Sequence, residues 1–120
     1  MYSPQVLDHF QHPRNAGELA SPDSYVRVEN PVCGDILELY AYVREGRIAE
    51  IRFKAKGCVP AMACASLITE MSEGKSLIAA AAISRKELAE RIGGLPTVSG
   101  HAAQLAVDAL RVLLKQLSTI

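Results

Sequence analysis

The chain has 120 residues, 49% of them apolar and 22% charged, a composition that belongs to a folded protein and a length that belongs to one domain, 1–120, able to bury a sizeable core. Thirteen basic residues balance thirteen acidic ones, and there is no Trp and no basic run, which argues against a nucleic-acid partner needing a positive surface. No apolar run approaches the ~20 residues of a membrane span, no signal peptide is visible, and three cysteines without a disulfide-like pattern fit a reducing cytoplasm.

Ser3 followed by Pro4 reads as an N-cap and first helical position, predicting a short helix to about Phe10. The run His12-Pro13-Arg14-Asn15-Ala16-Gly17 breaks it, and a polar loop through Ser21-Pro22-Asp23 leads to a short strand near Tyr25–Glu29. Ile36–Arg44 alternates apolar and polar residues, Glu45-Gly46 is a turn, and Ile48, Ile51 and Phe53 mark a second strand ending near Lys56. Together these predict a hairpin.

After Cys58 the period becomes helical, with Met62, Ala65, Leu67, Ile68 and Met71 at three-to-four spacing, and Gly74 ends that helix. A short helix around Leu77–Ala82 follows. Ser84-Arg85-Lys86-Glu87 is a capping-box pattern that opens a helix stopping at Gly93-Gly94. The last helix starts around Gly100 and carries one broad apolar stripe, Leu105, Ala106, Ala109, Leu110, Leu113, Leu114 and Leu117. Strands first and helices afterward predict an α+β fold, a small antiparallel sheet covered on one face by helices.

Four side chains with ligating chemistry sit at Gly- or Pro-marked breaks between these elements: Cys33 and Asp35 in Asn30-Pro31-Val32-Cys33-Gly34-Asp35, Cys58 in Lys56-Gly57-Cys58-Val59-Pro60, and His101 in Ser99-Gly100-His101-Ala102. Thiolate, imidazole and carboxylate suit zinc or an iron–sulfur centre. Each has a plainer reading: an inert cysteine beside a turn aspartate for Cys33 and Asp35, a core cysteine for Cys58, a surface histidine for His101. Cys58 is the stronger single case, because a thiol at a helix N-terminus, with Lys54 and Lys56 nearby, is expected to favour thiolate. Cys64 lies on the apolar helix face of Leu67, Ile68 and Met71, which predicts packing. Asp8 and His12 read as a solvated helix face, and His9 acquires no role.

At these residues the chain resembles the iron–sulfur cluster assembly scaffold family, the NifU N-terminal domain and IscU-like proteins. The resemblance runs through Tyr2–Phe10, the Pro-Arg-Asn-Ala-Gly run at 13–17, Asn30–Asp35, Phe53–Cys58 and Ala65–Glu70. It implies that Cys33, Asp35, Cys58 and His101 hold iron or a nascent [2Fe–2S] cluster, or zinc in its absence. It implies sulfur from a cysteine desulfurase, delivery to recipient apo-proteins, and no independent catalysis.

Two departures stand out. The family's third cysteine falls at Ala102, so sulfur acceptance by that route is lost, and Cys64 replaces it only if its helix unwinds at Val59-Pro60. The chaperone-recognition element appears as Leu95-Pro96-Thr97-Val98-Ser99, whose missing lysine weakens the implication of an Hsp70-type partner. Two other readings use the same residues. One is a zinc-binding non-scaffold protein that modulates a desulfurase or related partner. The other is a Cys–His–Asp nucleophile, for which no oxyanion-hole motif is present.

Overall fold

A computed structural model describes residues 2–117, all but the side chain of Val98; Met1 and residues 118–120 of the expected 1–120 domain lie outside the described residues. In chain order the elements are α1 (Pro4–Gln11), β1 (Ser24–Glu29), β2 (Ile36–Arg44), β3 (Arg47–Lys56), α2 (Val59–Ser72), α3 (Leu77–Ala81), α4 (Arg85–Arg91), a 3-10 turn (Thr97–Ser99) and α5 (Gly100–Leu117). The three strands form one antiparallel sheet in the order β1-β2-β3. The α+β layer expected from the sequence is the layer observed.

The predicted hairpin forms between β2 and β3. Glu45 and Gly46 both adopt positive φ, 53° and 72°, the conformation that a two-residue turn matched to strand twist requires. Near the turn Arg44 faces Arg47 and Val43 faces Ile48; beyond it Tyr42 faces Glu50. Ala49 is therefore an extra residue on β3, a bulge that moves every later pair by one position. Leu39 then faces Phe53, and Ile36 faces Lys56 at the open end.

Alternation along the strands puts Val26, Leu37, Leu39, Ala41, Ile51 and Phe53 on the covered face, all buried. Helices α2 and α5 lie on this face. Helix α2 is apolar around most of its circumference because it is enclosed by β3, α1 and α5 at once; Ala61, Ala63, Ala65, Leu67, Ile68 and Met71 are all buried. On the opposite face Tyr25 and Tyr40 stack with centroids 5.0 Å apart, and Tyr40 donates to Glu38 at 2.8 Å.

Helix α1 is held by its cap and by one buried polar contact. Ser3 accepts from the Val6 amide and donates to the Ile92 carbonyl. His9, unassigned in the sequence, is 6% exposed: its Nδ1 lies 2.8 Å from Ser66 Oγ, which also accepts from the Arg14 amide at 2.8 Å. On its other side His9 Nε2 lies 3.7 Å from the Glu70 carboxylate. Asp8 and His12 are both exposed, as a solvated helix face should be, and Asp8 pairs there with Arg14 at 2.7 Å.

Two outcomes follow from this packing. Leu39→Ala, at a fully buried central strand position, is expected to cost about 2–5 kcal/mol in urea unfolding. Burial, and then the Arg14 guanidinium, hold His9 below its ordinary value of 6.5. The unfolded chain takes up that proton first, so stability that is fully present above about pH 6.5 is lost as pH falls below it. His9→Gln should flatten the difference between melts at about pH 7.5 and about pH 5.5; an unchanged difference would show that His9 is not its source.

Candidate metal centre

The centre is built at the open end of the β2–β3 hairpin. Asn30-Pro31 begins the loop that precedes β2. Asn30 Oδ1 accepts from the Val32 amide at 2.9 Å, its carbonyl accepts from the Gly34 amide at 2.8 Å, and its own amide donates to the Asp35 carbonyl at 2.8 Å. This closed loop presents Cys33 outward, and it needs Gly34 at φ +78°, a left-handed conformation. Asp35 directly precedes β2 and is buried, 6% exposed.

Across the hairpin, Cys58 is the N-cap residue of α2, with extended backbone and Pro60 near the start of the helix. His101 is the second residue of α5, which begins directly after the 3-10 turn Thr97–Ser99, an element absent from the sequence expectation. The long helix α5 packs against β1, β2 and α2. Ser24 on β1 helps to secure it by donating toward the Leu113 carbonyl and Gln116 Oε1, both at 2.9 Å. Its N-terminus, and with it His101, is thereby brought over the hairpin end.

Three ligating atoms converge closely. The Cys58 thiol donates to Asp35 Oδ2 at 3.3 Å, His101 Nε2 lies 3.6 Å from the same oxygen, and Cys58 Sγ lies 4.0 Å from His101 Nε2. Cys33, Asp35 and His101 also offer ligand atoms all within 4.8 Å of one another. In a tetrahedral site with bonds of ~2.0–2.3 Å, neighbouring ligand atoms stand about 3.3–3.8 Å apart. The Cys58–Asp35 and Asp35–His101 separations fall in that range, the Cys58–His101 separation is slightly longer, and Cys33 lies on the exposed side. Asp35 and His101 are thus common to two close groups, one with Cys58 and one with Cys33.

The thiols differ sharply in environment. Burial pushes the Cys58 thiol up; the Ala61 amide opposes this, while Asp35 and Cys33 add to it. This runs opposite to the thiolate expected at a helix N-terminus: burial, with Asp35 and Cys33, outweighs the Ala61 amide. A bound cation must displace the thiol proton. Cys64 is fully buried and burial pushes it up to about 12, which leaves it a packing residue as its helical position predicted. Cys33 is the exposed thiol of the three.

Ala102 is 1% exposed and belongs to the core, so the position after His101 supplies no donor. A recess of about 210 Å³ flanks His101 between Asn30-Pro31 and Gln104. A larger one, about 430 Å³, lies between α3 and α5 around Leu77, Ile78 and Leu114 and holds no ligating group. Gly57 was read in the sequence only as a break marker. Its packing on the Asp35 carboxylate depends on strand register and left no local signal.

Residues 1–119 match the model of the NifU-like N terminal domain family. The chain is 47% identical over 111 residues to the iron-sulfur cluster assembly scaffold protein IscU 1 of Archaeoglobus fulgidus, covering 92% of this chain and 72% of that one. It is 43% identical over 114 residues to the scaffold protein IscU of Escherichia coli K12, covering 92% and 88%. The crystal structure of a nitrogen-fixing NifU-like protein (N-terminal) from Brucella abortus superposes with a TM-score of 0.80 over 98% of this chain and 94% of that one, at 18% identity, a likeness of fold. A family match over nearly the whole length, around a hairpin end that gathers two thiols, a carboxylate and an imidazole, makes the conclusion direct: the chain belongs to the NifU-like N-terminal domain family.

Proposed function

We propose that this protein is an iron–sulfur cluster assembly scaffold, binding iron or a labile [2Fe–2S] cluster through Cys33, Asp35, Cys58 and His101 and passing it to recipient apo-proteins. The observation that carries the reading is the convergence of the Cys58, Asp35 and His101 ligand atoms within 4.0 Å beside an exposed Cys33. The donor set is mixed. Two thiolates hold iron tightly, imidazole substitutes for a thiolate on iron, and carboxylate is the harder and weaker ligand for such a centre. A centre built this way favours release over permanent storage, the property a donor needs. Zinc suits the same donors and is the ion expected when no cluster is present.

A cysteine desulfurase is the source of sulfur in this reading, and the cytoplasm its place; among the described residues no helix is long and apolar enough to cross a membrane. With Ala102 buried and Cys64 sealed in the core, the thiol open to a partner's persulfide is Cys33. In that step the Cys33 thiolate attacks the terminal sulfur of the donor persulfide, a new S–S bond forms at Cys33 Sγ, and the desulfurase thiolate leaves. The protein contributes ligands and positions and no turnover chemistry of its own.

Anaerobic incubation with ferrous iron, cysteine and a desulfurase tests the assignment. Cluster absorption should develop in the unaltered protein and in Cys64→Ser, and should be lost in Cys58→Ser and His101→Ala while their melting curves stay cooperative. Retention of the cluster in both ligand variants would refute the site. Before iron is added, mass spectrometry after incubation with desulfurase and cysteine should find the added sulfur on Cys33. Its appearance on Cys58 or Cys64 in Cys33→Ser at the unaltered rate would refute the acceptor assignment.

A further inference from the structure

Asp35 lies one residue before β2, and Gly57 one residue after β3. Because Ile36 faces Lys56, these two are the next pair across the ladder. Opposed residues of a regular antiparallel pair keep their Cβ atoms ~4.5–5.5 Å apart. Here the strand ends close in. A Cβ placed on Gly57 would stand 3.0 Å from Asp35 Cβ and 2.5 Å from Asp35 Cγ, and nearer still to Oδ1. Gly34, Gly46 and Gly74 have positive φ and need to be glycine for their backbone; Gly57 is not among the positive-φ residues. What excludes a side chain at position 57 is Asp35 itself.

From this we infer that Gly57 is a positioning residue of the metal centre: its missing side chain is the space in which the Asp35 carboxylate lies against Cys58 and His101. The inference takes its functional consequence from the scaffold reading above. A methyl group at position 57 has to be accommodated by something. The strand ends are tied by the ladder and by the Asn30 amide bond to the Asp35 carbonyl at 2.8 Å. The Asp35 side chain is short, and rotation about its χ1 is the motion that carries Cγ away from residue 57. That rotation withdraws Oδ2 from Cys58 Sγ, now 3.3 Å away, and from His101 Nε2, now 3.6 Å away. Position 57 supplies no donor, yet a substitution there removes one.

Zinc alone is the probe, measured by competition with a chromophoric chelator on the full chain, in the unaltered protein, Gly57→Ala, Asp35→Ala and the double variant. Gly57→Ala is expected to weaken zinc binding about 10- to 100-fold, in the range of Asp35→Ala. In the double variant the added methyl should change affinity by no more than about twofold beyond Asp35→Ala, because the carboxylate it displaces is already absent. Unaltered zinc affinity in Gly57→Ala, or effects that multiply in the double variant, overturns the inference. If Gly57→Ala fails to fold, the double variant should regain a cooperative melt, since the Oδ1 and Cγ contacts are gone; a double variant as disordered as the single one overturns it equally. Coupling in zinc affinity without any cluster uptake by the unaltered protein would refute the scaffold reading and leave the positioning of Asp35 standing.

Discussion

The β2–β3 register is the constraint on which the centre depends. A single extra residue, Ala49, separates the pairing near the turn from the pairing at the open end. Without that bulge Asp35 would face Lys56 and not Gly57, and side chains beyond it would exchange faces. With it, Leu39 and Phe53 share the covered face, and Asp35 meets the one position in the Lys56-Gly57-Cys58 run that has no side chain. A local irregularity some distance along the hairpin therefore decides which residue lies against the buried carboxylate.

The remaining members of the centre come from separate mechanisms. Cys33 is carried by a loop closed on the Asn30 side chain and backbone, which leaves the thiol in solvent. Cys58 is fixed by the start of α2, and α2 is fixed by enclosure on nearly every side. His101 arrives on α5, whose apolar stripe packs it across the sheet. Four candidate ligands from three chain segments lie near one hairpin end, none of them inside a regular strand. Their positions are set by the elements they flank, and their side chains stay at element ends.

Electrostatics separates the apo and loaded states. The Cys58 thiol lies 3.3 Å from Asp35 Oδ2, and burial raises its pKa. A cation bound here satisfies the carboxylate and the imidazole at once. The helix N-terminus acts in the opposite direction to burial but is the weaker effect at this partly covered position. Further along α2, Cys64 is fully buried in the core, and burial raises its pKa.

Much of this was legible in the chain itself. The alternation of Ile36–Arg44, the Glu45-Gly46 turn, the Ser3 and Ser84 caps and the stripe of α5 are local patterns, and each produced its element close to the expected bounds. The four candidate ligand positions were legible too, because Gly and Pro mark the breaks where side chains are free to project. The burial of His9 on Ser66, the raised pKa of Cys58, the bulge at Ala49 and the fit of Gly57 to Asp35 were not. Each depends on which atoms of distant segments exclude water from, or press against, one another. Sequence alone determined the elements and the ligand types, since backbone preference and side-chain chemistry are properties of neighbouring residues. Only the tertiary structure decided register, desolvation and contact, since those are properties of packed surfaces brought together from opposite ends of the chain.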